Sequence, residues 1–233
     1  MLEYEIFNKK TLNIFCDASK SSIKDAFGGT IAMGCPGAIA VITTPTGGYE
    51  IIDKSLSIEY CATNNNSEMK ALLLGVKLAV KYKDKFNFIN IFSDSKISIF
   101  GLREWIFKNW TYADNTIYSS SGEPVKNQDI IFYIIETLLK NDLRVSFYYQ
   151  KGHAVGKGNL AKAKFCEGNF IKYAEDTLIQ TITHFNDVID NLTRDYLKEN
   201  LYNEKLYNFN FAIYPNVNVR DLDRYKTLIL GEI

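Results

Sequence analysis

Residues 63–75 read TNNNSEMKALLLG, a polar run that leads into a helix with a carboxylate, Glu68, near its start. From Asn66 to about Tyr82 the apolar residues Met69, Leu72, Leu73, Val76, Ala79 and Val80 recur at helical spacing. Glu68 falls in line with Leu72, Val76 and Ala79, the face that must meet the rest of the protein, and a carboxylate there needs compensation. Taken alone, Asn65 as N-cap with Glu68 three residues later forms a capping box, which asks nothing of the carboxylate beyond closing the helix.

Working outward, LNIFCDAS (12–19), GAIAVITT (37–44) and YEIIDKSLSIEY (49–60) read as a meander of three strands before this helix. After it come a strand at NFINIFSD, helices at SKISIFGLREWIF and KNQDIIFYIIETLLKND, and a strand at LRVSFYYQ. The order βββαβααβα predicts a mixed sheet with helices packed on it. Residues 26–49 carry no charge, but Pro36, Pro45 and six glycines break the run, so it reads as a loop feeding a buried hairpin and not as a membrane helix. Residues 159–207 read as helical apart from Gly168. Within them Ile171, Ala174, Leu178, Ile182, Phe185, Ile189, Leu192 and Tyr196 form one apolar stripe.

Composition narrows the class. Apolar residues make up 46% and charged residues 23% of the 233, as in soluble globular proteins. Lys plus Arg and Asp plus Glu are both 27, so any polyanion site is local or metal-assisted. Cys16, Cys35, Cys61 and Cys166 form no C-x-x-C pair, which argues against a zinc site or disulfide framework and for a reducing, cytoplasmic compartment. The start, MLEYEIFNKK, lacks a secretory apolar stretch.

Two further acids end predicted strands, Asp17 the first and Asp94 the fourth, and in open α/β sheets sites assemble at the carboxyl ends of strands. Each has a bland role available, Asp94 as a helix N-cap and Asp17 as a turn residue. Three acids converging on one place is not explained by three such roles.

The set DAS (17–19), TNNNSEMKA (63–71), SDSKIS (93–98), WIFKNW (105–110), PVKNQDI (124–130) and KGHAVGKGN (151–159) resembles type 1 ribonuclease H in composition, order and spacing, over residues 11 to about 175. The resemblance implies a ribonuclease H-like five-stranded mixed sheet of order 3-2-1-4-5 flanked by helices. It also implies cleavage of the RNA strand of RNA/DNA hybrids by two metal ions, with Asp17, Glu68 and Asp94 as ligands. Oxygen ligands suit two Mg²⁺ ions, or Mn²⁺, in such chemistry. On the same resemblance His153, in a glycine-bearing loop, is placed for proton transfer or product release. Thr63, Asn64 and Asn65 are placed to meet the hybrid near its minor groove, where an amide can read a 2′-hydroxyl.

The pattern departs in two places. The family's fourth acid, a short way after the histidine, lands here on Ala163. Aligning GNFIKYA with that helix puts Asn169 at the site as a substitute ligand, with Glu167 competing. No Lys or Arg lies between Trp110 and Pro124, where some members carry a basic handle for the hybrid. The division expected is a catalytic domain over 1–175 and a mainly helical extension over 176–233. The extension would either fold back through a bend near 186–191, covered in part by Phe209, Phe211 and Ile213, or pair with a second copy; the monomer is favoured. A catalytically impaired binding or scaffold module is the alternative function, although a scaffold needs none of Asp17, Glu68, Asp94 and His153.

Overall fold

The structure, a computed structural model, describes residues 6–7, 10–24, 27–44, 46–60, 63–154, 156–203 and 219–229. Its main sheet is built from β1 (Thr11–Lys24), β2 (Thr30–Thr43), β3 (Tyr49–Leu56), the two-residue β4 (Glu59–Tyr60), β5 (Phe88–Ser93) and, numbered after the small hairpin below, β8 (Ser146–Tyr149). The spatial order is β3-β2-β1-β5-β8, with β4 on β2. Strands β1, β2 and β3 are antiparallel, and β5 and β8 run parallel to β1. This is the expected mixed sheet.

Helix α1 spans Asn64–Tyr82. A short helix α2 (Lys96–Phe100) passes through a π turn at Gly101–Trp105 into α3 (Ile106–Lys108), and the amide of Trp110 donates back to Trp105. A hairpin of β6 (Thr111–Ala113) and β7 (Thr116–Tyr118) occupies what the sequence left as a basic-free stretch. Its turn uses Asp114 and Asn115 at φ 50° and 59°, the left-handed pair that suits hairpin twist. Then follow α4 (Gln128–Lys140), α5 (Gly158–Asn169), α6 (Asp176–Asn200) and α7 (Val219–Ile229).

Strand β1 is buried on both faces. Leu12, Ile14 and Cys16 join a core with α1, α4 and the Tyr225–Ile229 end of α7. Phe15 joins a second core with Ile39, Val41 and Phe92 under α6. Two features bring α1 close to β1. A side chain at Gly75 would collide with Cys16 Sγ and come within 3.3 Å of Ile14. The buried ion pair Lys70–Glu59, at 2.6 Å, ties the same helix to β4.

Two expectations need correction. The uncharged stretch taken for a loop is already strand from Thr30, because Lys20–Lys24 pair with Thr30–Gly34. Pro36 is tolerated where β2 has no β3 partner; pairing with β3 begins at Gly37. The stretch 159–207 is not one helix: α5 ends at Asn169 with Phe170 as its cap, and α6 is continuous helix through 186–191. Beyond residue 175 the chain packs back on the sheet: α6 lies across β1 and β2, and α7 buries Tyr225, whose hydroxyl donates to Leu102 O at 3.0 Å. The apolar stripe is thereby buried within the chain: Ala174, Leu178, Ile182, Phe185 and Ile189 are all inside. Phe209, Phe211 and Ile213 lie outside the described residues.

If α6 is half of the core, Phe185→Ala should cost about 3–5 kcal/mol, as large-to-small changes of buried aromatics do. A chain ending at Ala174 should show no cooperative thermal transition. A sharp, unshifted melt from either would overturn this packing.

Candidate active site

Helix α1 is capped by Thr63, whose hydroxyl accepts from the Asn66 amide at 3.2 Å. The capping-box reading therefore fails. With Asn64 as the first helical residue, Glu68 lies beyond the first turn and caps nothing. Asn64 and Asn65 stand four and three residues before Glu68, so they share its side of the helix and are exposed, as Thr63 is. Asn66 donates to Asn127 at 2.9 Å, tying this end of α1 to the start of α4.

Asp17, in β1, pairs across β2 with Gly37, and Asp94 directly follows β5, the parallel neighbour of β1. One carboxylate oxygen from each of Asp17, Glu68 and Asp94 lies within 4.8 Å of the other two. Glu68 Oε2 is buried with no hydrogen-bond partner. Burial raises all three carboxyls, and the charges of their neighbours add to it. Asp17 is pushed up to about 8 by burial and then by Asp94, against the 2.7 Å hydrogen bond from the Ala18 amide. Glu68 is raised by burial, then by Asp17, Asp94 and Asp190. Asp94 is raised by burial and by Asp190, while His153 and Lys151 pull it down.

Asp190 is the acid that the sequence reading missed. It comes from the middle of α6, its side chain is 15% exposed, and its charge acts on all three of the others. Arg194 pairs with it one turn later. A 2.9 Å hydrogen bond between Ser19 and Thr193 sets α6 against β1 near Asp17. One signal was available: Asn186, Asp190 and Thr193 step by four and three along a helix face that also carries Phe185 and Ile189. A polar line of that kind is out of place beside a core.

Asn169, the expected substitute ligand, is committed elsewhere. Its Oδ1 accepts from the Tyr149 amide at 2.9 Å and from Arg103 at 2.8 Å, and its Nδ2 donates to Tyr149 O at 2.7 Å and Phe165 O at 2.8 Å. Every hydrogen-bonding position of the amide is used in clasping the end of α5 to β8. Glu167 is exposed and paired with Lys164 at 2.6 Å. Neither completes the cluster.

His153 does reach it. Its imidazole is 77% exposed on the loop after β8, with Nδ1 3.8 Å from Asp190 Oδ2. Gly152 presses against Asp94: a Cβ there would overlap Oδ2 and stand 2.9 Å from Cγ.

Asp17 was expected to end its strand, but β1 runs on to Lys24 and only its parallel pairing with β5 stops at Cys16. A sheet of this order, with carboxylates just past that parallel pairing and on the first long helix, defines the ribonuclease H-like class of folds. The RNase H family model matches residues 9–165. Ribonuclease HI of Haemophilus influenzae (strain ATCC 51907 / DSM 11121 / KW20 / Rd) is 28% identical over 179 residues, 76% of this chain and 99% of that protein. Ribonuclease H of Ruthia magnifica subsp. Calyptogena magnifica is 34% identical over 112 residues, 48% of this chain and 71% of that one. Among solved structures, that of LC11 ribonuclease H1 in complex with RNA/DNA hybrid aligns with 64% of this chain and 92% of that one, at 12% identity and a TM-score of 0.43. The chain belongs to the RNase H family and is a ribonuclease H.

The acids give a pH dependence whose sign is fixed. Asp17, Glu68 and Asp94 have folded-state values above those of the unfolded chain, so the folded protein binds more protons between about pH 4 and pH 8. In EDTA its stability should fall as pH rises through that window. Asp17→Asn should flatten the fall and raise the pH 8 melting temperature by about 2–4 °C for each kcal/mol relieved. Equal slopes in wild type and variant would refute the crowding. Gly152→Ala should leave the melt within a few degrees while lowering activity, because the added methyl moves a carboxylate end and not the backbone; full activity would remove Gly152 from the site.

Proposed function

We propose that this ribonuclease H cleaves the RNA strand of RNA/DNA hybrids with the help of two divalent cations, Mg²⁺ or Mn²⁺, held by Asp17, Glu68, Asp94 and Asp190. The observation that carries the proposal is the carboxylate cluster itself, in which Glu68 Oε2 is buried without a hydrogen-bond partner. Such an arrangement is unfavourable as it stands and is relieved by cations with a preference for oxygen. When bound, those cations supply Lewis-acid stabilisation of charge on the phosphoryl oxygens and lower the pKa of an attacking water.

The chain's own residues do the rest. The four acids hold the cations and fix where the scissile phosphate sits. His153 stands on an exposed loop with Nδ1 toward Asp190, which leaves Nε2 to take up or deliver a proton as the 3′ oxygen leaves. Asn64 and Asn65, on the same side of α1 as Glu68, offer amides to the 2′-hydroxyls that distinguish RNA from DNA, and Thr63 caps the helix that carries them. A scaffold role is disfavoured because the cluster lowers stability without serving any packing purpose. The buried stripe of α6 supports a monomer, and the free Cys16, Cys35 and Cys166 support a reducing, cytoplasmic setting. No helix among the described residues is long and apolar enough to cross a membrane.

A labelled hybrid, incubated with and without Mg²⁺ beside RNA duplex and DNA duplex, tests the reading: only the hybrid should be cut, and only with the cation. Asp190→Asn should lower turnover by at least about 10²-fold and raise the Mg²⁺ concentration for half-maximal rate. Asn169→Asp should leave that concentration unchanged. It should instead destabilise the fold by about 1–3 kcal/mol, because a carboxylate oxygen would face Tyr149 O and Phe165 O. The opposite pattern would return Asn169 to the site.

A further inference from the structure

Beyond Asp94, on the side away from α1, a cleft of about 500 Å³ opens between α2, the π turn, the end of β8 and the end of α5. Lys96, Lys151, Lys164, Trp105, Tyr149 and Phe170 are among its lining residues. It adjoins the acid cluster: Lys96 follows Asp94 by two residues, and Gly152, next to Lys151, presses against the Asp94 carboxylate. Lys96 has its Nζ over the Phe100 ring at 5.5 Å, and Lys151 donates to Gly152 O at 3.1 Å; neither makes an ion pair among the described residues.

The aromatic wall is built. Phe170 is 73% exposed and has φ 56°, the left-handed conformation that closes α5, with its amide donating to carbonyls of the last turn. The Arg103 guanidinium lies 5.0 Å from the Phe100 centroid and 5.8 Å from that of Phe170. It donates to Gly168 O at 2.6 Å and to Asn169 Oδ1 at 2.8 Å. Gly168 lets the Tyr149 ring come into contact where a Cβ would overlap it. The Asn169 clasp, which serves no role at the acid cluster, completes this support. An aromatic ring thus stands in water at the rim of a cleft whose acids, Glu104 and Glu167, are paired with Arg103 and Lys164, which leaves Lys96 and Lys151 as its unpaired charges among the described residues.

Aromatic faces bind nucleobases only when the bases are unstacked, and lysines meet the phosphates between them; together they are the means by which proteins hold single strands. The sheet order sets a direction. From the asparagines of α1, over Asp17 and Asp94, to Tyr149, the site follows the middle of β1 and then the carboxyl ends of β5 and β8. We propose that the cleft is a subsite for an unpaired nucleotide of the cleaved RNA strand, its base stacked against Phe170 or Trp105 and its phosphate met by Lys96 and Lys151. The enzyme would then grip RNA that runs out of the hybrid, in a chain without the basic handle after Trp110. The proposal rests on the hybrid-cleaving function above.

The test measures binding in EDTA to a blunt hybrid, to hybrids with a short 5′ or 3′ RNA overhang, to the same overhangs made abasic, and to a short single-stranded oligoribonucleotide. One overhang polarity should bind about 5- to 100-fold tighter than the blunt hybrid, and abasic substitution should remove the gain. Phe170→Gly, which suits the positive φ and so preserves the fold, should also remove it; Phe170→Trp should keep it. Blunt-hybrid binding, and blunt-hybrid cleavage with Mg²⁺, should be unchanged in both variants. The subsite is overturned if neither polarity binds more tightly, or if the gain survives Phe170→Gly or abasic overhangs. A wild-type enzyme that leaves the blunt hybrid uncut with Mg²⁺ defeats the hybrid-cleaving function instead. In that case Phe170-dependent binding of the oligoribonucleotide alone still decides the cleft.

Discussion

Like charges gather inside a folded chain only where packing elsewhere leaves them no room to part, and the rest of this structure is organised around that constraint. Asp17 and Asp94 are set side by side because β1 and β5 pair in parallel register, Cys16 opposite Ser93. Glu68 is brought down on them because α1 approaches β1 through Gly75 and is anchored to β4 by the buried Lys70–Glu59 pair. Gly152 closes the loop of His153 onto Asp94. Strand register, a buried ion pair and close approaches at two glycines together hold the acids against their repulsion.

The fourth acid makes the site and the second core one problem. Helix α6 buries Leu178, Ile182, Phe185 and Ile189 against Phe15, Ile39 and Phe92, and the same rigid helix carries Asp190 and Arg194 to the cluster. Loss of packing on that face therefore moves a carboxylate as well as costing stability. Arg194 also tempers the local charge, since it draws the Asp17 carboxyl down while burial and Asp94 raise it.

Some residues were readable before the fold was known, for physical reasons. Asp17 and Asp94 stood out because each ends a strand-like segment, and Glu68 because a carboxylate interrupted a helical apolar line. The capping box failed because the cap moved two residues upstream to Thr63, a choice made by hydroxyl geometry that asparagine propensity does not forecast. Asn169 looked like a ligand because the expected spacing was stretched until an oxygen-bearing residue appeared. The structure instead spends that amide on Tyr149, Phe165 and Arg103. The π turn at Gly101–Trp105, which seats Arg103 in the cleft wall, leaves no periodic signature of its own.

By itself the sequence determined which segments alternate and which repeat at helical spacing, and so the mixed sheet and its neighbouring acids. Those patterns are local, written by the requirement that each strand and helix bury one face or both. Only the tertiary structure decided that α6 covers the far face of β1, that Asn169 is spent on clasping α5 to β8 while the charge of Asp190 acts on the three acids, and that Phe170 stands in water at the rim of a cleft with three lysines. These depend on contacts between residues far apart in the chain, whose register is set by side-chain volumes meeting in three dimensions and is invisible to any local pattern.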